Sequence, residues 1–196
     1  FYTPCHGTMR TLRRGEDFDD VVFAMPVATV RHHCKQLLAQ KEAWRYMVEH
    51  VTSVDTQSIR LWLKPSLPAL GWRYPTPIVS GFAFPFSTWE DNCALADAET
   101  WPPGFQPGTG ASLYGALPGP KHTPGLDDVD YIPRQQATAE HNARHFIDTE
   151  LAHLWPDITS PLRRGGVDWS LLVDLEERSG AERLRSQSIR CLLYTS

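Results

Sequence analysis

Glu16-Asp17-Phe18-Asp19-Asp20-Val21-Val22-Phe23-Ala24-Met25-Pro26 is the stretch on which the fold assignment turns. Acidic residues lead into a short run of β-branched and aromatic side chains, and Pro closes it. Such a run reads as a strand buried on both faces, the kind found in parallel sheets covered by helices. After Pro26 the period changes. Val27, Val30, Cys34, Leu37 and Leu38 fall at helical spacing, and Pro26 suits a first-turn position. Residues 19–38 therefore read as strand, tight turn, helix.

Working outward, Trp44, Met47 and Val48 predict a second short helix over residues 42–50. Residues 54–63 become strand-like, with Ile59, Leu61 and Leu63 alternating with Arg60, Trp62 and Lys64, which gives a half-buried sheet face. From 65 to 110 Pro and Gly break the chain repeatedly. Short strands are expected at 78–84 and 111–117, and a short helix or turn at 89–95 with Ser87 or Thr88 as its cap. Residues 118–130 read as loop. The clearest helix is 134–154, where Ala139, Ala143, Phe146, Ile147, Leu151 and Leu154 form one apolar stripe ended by Trp155-Pro156. No repeat is visible, and residues 167–175 have no assignable type.

Composition narrows the classes of function. The 196 residues are 41% hydrophobic and 21% charged, with seven Trp, which excludes low-complexity disorder. A formal net charge of -4 argues against a nucleic-acid-binding module. No apolar run approaches a bilayer span, so no transmembrane segment is expected, though peripheral membrane contact stays open. Cys5, Cys34, Cys93 and Cys191 contain no CxxC spacing, so neither a disulfide framework nor a zinc site follows; reduced thiols of a cytoplasmic protein are the simpler reading.

Candidate chemistry is sparse. Gly108-Thr109-Gly110-Ala111-Ser112-Leu113 begins like a dinucleotide fingerprint, but Leu113 replaces the third Gly and Pro107 precedes it. It reads as a turn into a strand. His141 and His145 stand four apart, yet Asn142 occupies the position where a HExxH site needs Glu. Glu176-Glu177 and Asp127-Asp128 are adjacent and point apart on regular structure. The aromatic group Trp62, Trp72, Tyr74, Phe82, Phe84, Phe86, Trp89, Trp101 and Tyr114 either fills a core or lines an apolar cavity, with Gln57, Arg60 and Arg73 as candidate polar groups.

Residues 17–26 resemble the FDxVVxAxP segment of FAD-dependent oxidoreductases of the amine-oxidase and phytoene-desaturase type. An ordered set that follows is similar to a bacterial subgroup of these flavoproteins: Trp44-Arg45-Tyr46-Met47, Val54-Asp55-Thr56-Gln57 running into Leu61-Trp62-Leu63, Leu70-Gly71-Trp72, and Ser87-Thr88-Trp89-Glu90-Asp91 before Trp101-Pro102. The resemblance implies an α/β to α+β fold: a piece of a two-domain flavoprotein, with an FAD-domain strand–turn–helix and a substrate domain of antiparallel sheet and helices. It implies that residues 1–52 end a first substrate segment and return to the FAD domain, that 53–164 are substrate domain, and that 165–190 begin a second return. It places Ala24, Met25 and Pro26 beside FAD, and makes Gln57, Trp62 and Trp72 pocket residues for a small apolar or amine substrate. The family's GxGxxG, and its second Gly-Asp flavin segment, do not occur in this sequence. Phe1 is not an initiator Met, and Cys191-Leu192-Leu193-Tyr194-Thr195-Ser196 is what one frame of a common transposase sequencing adapter encodes. The expectation is therefore a piece of a longer protein, inactive by itself, with 191–196 an adapter artefact. The rival expectation is a non-catalytic binding domain whose aromatic cluster holds an apolar partner.

Overall fold

The computed structural model describes residues 7–51, 54–75, 78–119, 128–159 and 166–193. The chain divides into two compact units, residues 1–50 and 51–196.

In the first unit the expected strand is absent. Residues 21–24 are irregular, with Val21 75% and Val22 90% exposed. The physical reason is the lack of a partner. A strand buried on both faces needs neighbours for its backbone groups and cover for its side chains. Among the described residues of this unit the pairing is one isolated bridge, Arg14 to Phe18. The helix expected after Pro26 forms in pieces: a 3-10 turn at Val27–Thr29, α1 (Val30–His33) and α2 (Lys35–Gln40). Pro26 is the N-cap of that first turn, and its carbonyl accepts from both the Thr29 amide and the Thr29 hydroxyl. The second helix, α3 (Glu42–His50), has the expected bounds. Arg31 reaches across to donate to the Val48 carbonyl at 2.8 Å, and Val30 and Val48 are buried.

The second unit is a mixed α/β arrangement built on a five-stranded antiparallel sheet. Its strands are β1 (Thr56–Leu63), β2 (Ile78–Ala83), β3 (Phe86–Asp91), β4 (Thr109–Ala116) and β5 (Ser188–Leu192), in the order β2-β3-β4-β1-β5. Ile59 pairs with Leu113 and Leu61 with Ala111, while Trp89 pairs with Leu113. This row of apolar side chains faces α5 (Tyr131–Thr149) and α6 (Leu151–Leu154). Ala139, Ala143, Phe146 and Ile147 of the helix stripe are at most 1% exposed. Two small residues let the helix approach the sheet, and each fully buried Leu, Ile or Phe stabilises by about 1.5–3 kcal/mol. Edge-to-face contacts knit the aromatics: Phe146 with Phe82 and Phe86, and Trp89 with Trp72 and Trp155. Most of the aromatic group singled out in the sequence is therefore core, though Tyr74 and Phe84 are exposed.

One expectation is corrected here, and the reading of 108–110 as a turn into a strand holds. Residues 87–91 belong to β3 rather than to a capped helix. The short helix α4 (Cys93–Ala98) starts later, with the Asp91 carboxylate accepting from the Cys93 amide at 2.8 Å. The glycines of 108–110 serve close packing. A Cβ at Gly108 would lie 2.6 Å from the Lys64 carbonyl oxygen, and one at Gly110 2.6 Å from the Trp62 ring. The stretch lets β4 begin against β1 rather than cradling a phosphate. Asp127 and residues 160–165 of the expected segments lie outside the described residues.

Candidate functional site

The second face of the sheet carries a different kind of side chain. In β1 the residues alternate with the core row, so Ser58, Arg60 and Trp62 point away from α5. In register across the strands, Arg60 stands opposite Ser112 and Ser112 opposite Glu90; Ser58 stands opposite Tyr114 and Tyr114 opposite Thr88. An antiparallel sheet with one apolar and one polar face buries only the first against a helix layer. At one end this polar face is covered by a small apolar cluster: Trp62, Ala96 and Val173, with Trp101 and Phe105 packed against it. Trp62 and Trp101 meet edge to face at 5.1 Å, and the Trp101 indole N–H donates to the Ala96 carbonyl.

Beside this aromatic wall lies a connected polar patch. The Tyr114 hydroxyl donates to Glu90 Oε2 at 2.6 Å. Arg60 Nε donates to Ser112 Oγ at 3.3 Å, and the Ser112 hydroxyl donates in turn to Asn92 Oδ1 in a short contact. Partial burial and the Glu90 carboxylate both push the Tyr114 phenol up, so it stays protonated and keeps donating at neutral pH. The Arg60 terminal nitrogens and Glu90 Oε1 have no partner among the described residues. An open cavity of about 410 Å³ adjoins Ser58, Thr88 and Tyr114, and another of about 330 Å³ adjoins Trp62 and Trp101. The patch thus offers a carboxylate for a cationic group, a guanidinium for an anionic one, and indole rings for an apolar body.

The expected pocket residues divide between the two faces of the sheet. Gln57 is buried on the opposite face from Trp62: its amide donates to the Ala116 carbonyl, and its oxygen accepts from Asn142 of α5. Trp72 packs on Trp89 at the edge of the large core. Gln57 also lines the open cavity beside Ser58, Thr88 and Tyr114, and Trp62 lines the one beside Trp101. Arg73 is exposed. Glu90 lies in a stretch whose buried residues, Phe86 and Trp89, are three apart, so no period-two pattern marks it as a strand and the sequence gives no signal for its place in the sheet.

Ala24, Met25 and Pro26 lie on an exposed irregular segment with a bend at Met25. A pyrophosphate is held by free backbone N–H groups at a helix N-terminus approached through Gly. Pro26 has no N–H, and its carbonyl is committed to Thr29. The residues of this segment do not make an FAD cradle by themselves. His141 and His145 are exposed, with ring centroids 6.5 Å apart, and no group of three metal-ligating side chains occurs among the described residues. Cys34, Cys93 and Cys191 are free thiols. No helix among the described residues is long and apolar enough to cross a membrane.

No protein family, no curated protein and no solved structure matches this chain.

Proposed function

We propose that this chain supplies the substrate-side layer of an FAD-dependent oxidoreductase acting on a small amine or apolar molecule. The observation that carries the reading is the two-faced antiparallel sheet. One face is sealed by α5 and α6; the other is left with Glu90, Tyr114 and Arg60 beside the Trp62–Trp101 wall. Such a face can hold a ligand against a second layer, and the sequence resemblance names a flavin domain as that layer. The cradle for the FAD phosphates then belongs to a glycine motif outside this sequence, with Ala24, Met25 and Pro26 contributing at most one edge.

In this reading the chain's own residues bind and orient. Glu90, fixed by the Tyr114 hydroxyl, receives the ammonium group of an amine. Trp62 and Trp101 take the apolar body and exclude water. The test is steady-state amine oxidation by the gene product read through the flanking coding sequence. Glu90→Gln should raise KM for amines with flavin content unchanged, and Trp62→Ala should raise KM for amines and apolar substrates alike. Activity with unaltered KM in both variants would remove this face from the substrate site. A gene product that holds apolar ligands on this face and carries no flavin would instead be a binding domain.

A further inference from the structure

A groove of about 540 Å³ runs between α5, the 3-10 helix Gly180–Ser186 and β5. It uses none of Arg60, Trp62, Glu90 or Tyr114. Its lining is mixed: Ala137 of α5, Ala181 and Leu184 of the 3-10 helix and Ile189 of β5 are the apolar part, beside Gln136, His141 and Gln187. Its rim is basic. Arg144, Arg185 and Arg190 come from three different elements, against one lining carboxylate, Glu140. That balance stands out on a chain of net charge -4.

The commitments of these groups differ. Glu140 accepts from the Gln136 amide at 2.9 Å, and Arg185 is paired with Glu182 at 3.1 Å. Arg190 reaches only the Ile189 carbonyl, with one terminal nitrogen at 2.9 Å, and Arg144 has no hydrogen bond or ion pair among the described residues. Two guanidiniums with free donor edges therefore stand at a groove whose lining includes Ala137, Leu184 and Ile189. A guanidinium presents its N–H groups in a planar fork matched to a carboxylate. The volume lies within the range of small-molecule sites, where an apolar lining carries a few polar groups that fix orientation.

We propose that this groove binds an amphipathic organic monoanion: the carboxylate between Arg144 and Arg190, the hydrocarbon on Ala137, Leu184 and Ile189. The test is calorimetric titration of octanoate into the intact chain, with octylamine, 1-octanol and inorganic phosphate as comparisons. Perturbation of the Leu184 and Ile189 methyl resonances locates the site. Saturable octanoate binding is expected, weakened about tenfold by Arg144→Gln or Arg190→Gln. Arg45→Gln, the same change of charge on α3, should leave it unaltered, and circular dichroism of each variant reports that the fold is kept. The proposal falls if octanoate shows no saturable binding, or if Arg144→Gln and Arg190→Gln bind it as the parent does. It falls equally if octylamine, octanol or phosphate binds as tightly.

Discussion

Replacing Gln187 tests how the polar face is held in place. Gln187 is 7% exposed, and its side chain makes two hydrogen bonds to backbone: Oε1 accepts from the Trp62 amide at 2.8 Å, and Nε2 donates to the Val173 carbonyl at 2.7 Å. The Val173 amide in turn donates to the Trp62 carbonyl at 2.9 Å, so Gln187 closes a bridge between β1 and the segment that covers Trp62. Gln187→Ala orphans one buried donor and one buried acceptor. At about 1–3 kcal/mol for each group left unsatisfied, the loss is about 2–6 kcal/mol, nearer the lower end where water enters the vacated space. Gln187→Glu adds a charge to the same site. At neutral pH its carboxylate can still accept from the Trp62 amide, but it has no proton for the Val173 carbonyl and is buried, so it should lose at least as much as Gln187→Ala. Protonation restores a donor, so the deficit of Gln187→Glu should shrink as pH falls through the carboxyl pKa. Urea unfolding followed by Trp fluorescence is suited to this, because six of the seven Trp lie in residues 51–196. A loss below about 0.5 kcal/mol for Gln187→Ala, the range of ordinary surface substitutions, would refute the bridge.

Three further outcomes follow from the same structure. A Cβ at Gly115 would sit 1.6 Å from the Pro85 carbonyl oxygen, so Gly115→Ala should cost at least about 2 kcal/mol in the same unfolding assay; a neutral result would mean that the Pro85 turn does not cross β4 there. Burial raises the Asp174 carboxyl, but the bonds from the Ser186 hydroxyl, the Arg178 and Glu176 amides and the Arg178 guanidinium outweigh it and leave it lowered. A depressed folded pKa stabilises above the unfolded value of about 3.9 and is lost as pH falls through the folded value; the parent should weaken below about pH 4 and Asp174→Asn should lose that component, which equal acid slopes would contradict. Burial, then the Asp91 carboxylate, push the Cys93 thiol up to about 11, so its alkylation rate, followed by mass spectrometry, should still be rising at pH 10; a plateau below pH 9 would be the wrong result.

Periodicity made much of the second unit readable. The alternation at 59–64 marks β1, and the stripe from Ala139 to Leu154 marks the helices that cover it. What failed had a physical cause each time. Val21 and Val22 have the composition of a buried strand, but composition cannot supply the neighbours that a strand needs. Ser87 and Thr88 look like helix caps and are strand residues, because Trp89 in their midst pairs with Leu113 and packs into the core. The cost of that misreading was Glu90, the acid of the polar patch. The short strand Ser188–Leu192, paired to β1, carries no alternation of its own and is placed only by that pairing. The site was legible in part: Trp62 is five positions on from Gln57, an odd step, so an extended strand must put them on opposite faces. The partnership of Arg60, Ser112 and Glu90 joins three strands distant in sequence and could not be read without the register.

The proposed function is tested most directly by the flavin content of the gene product expressed through the coding sequence on both sides of this chain. Visible absorbance and fluorescence of the purified, desalted protein report it, with the released cofactor identified by mass spectrometry. The account predicts FAD near one per chain, with a GxGxxG between strand and helix in the added sequence. An extended product that folds, carries no flavin and contains no such motif would contradict it.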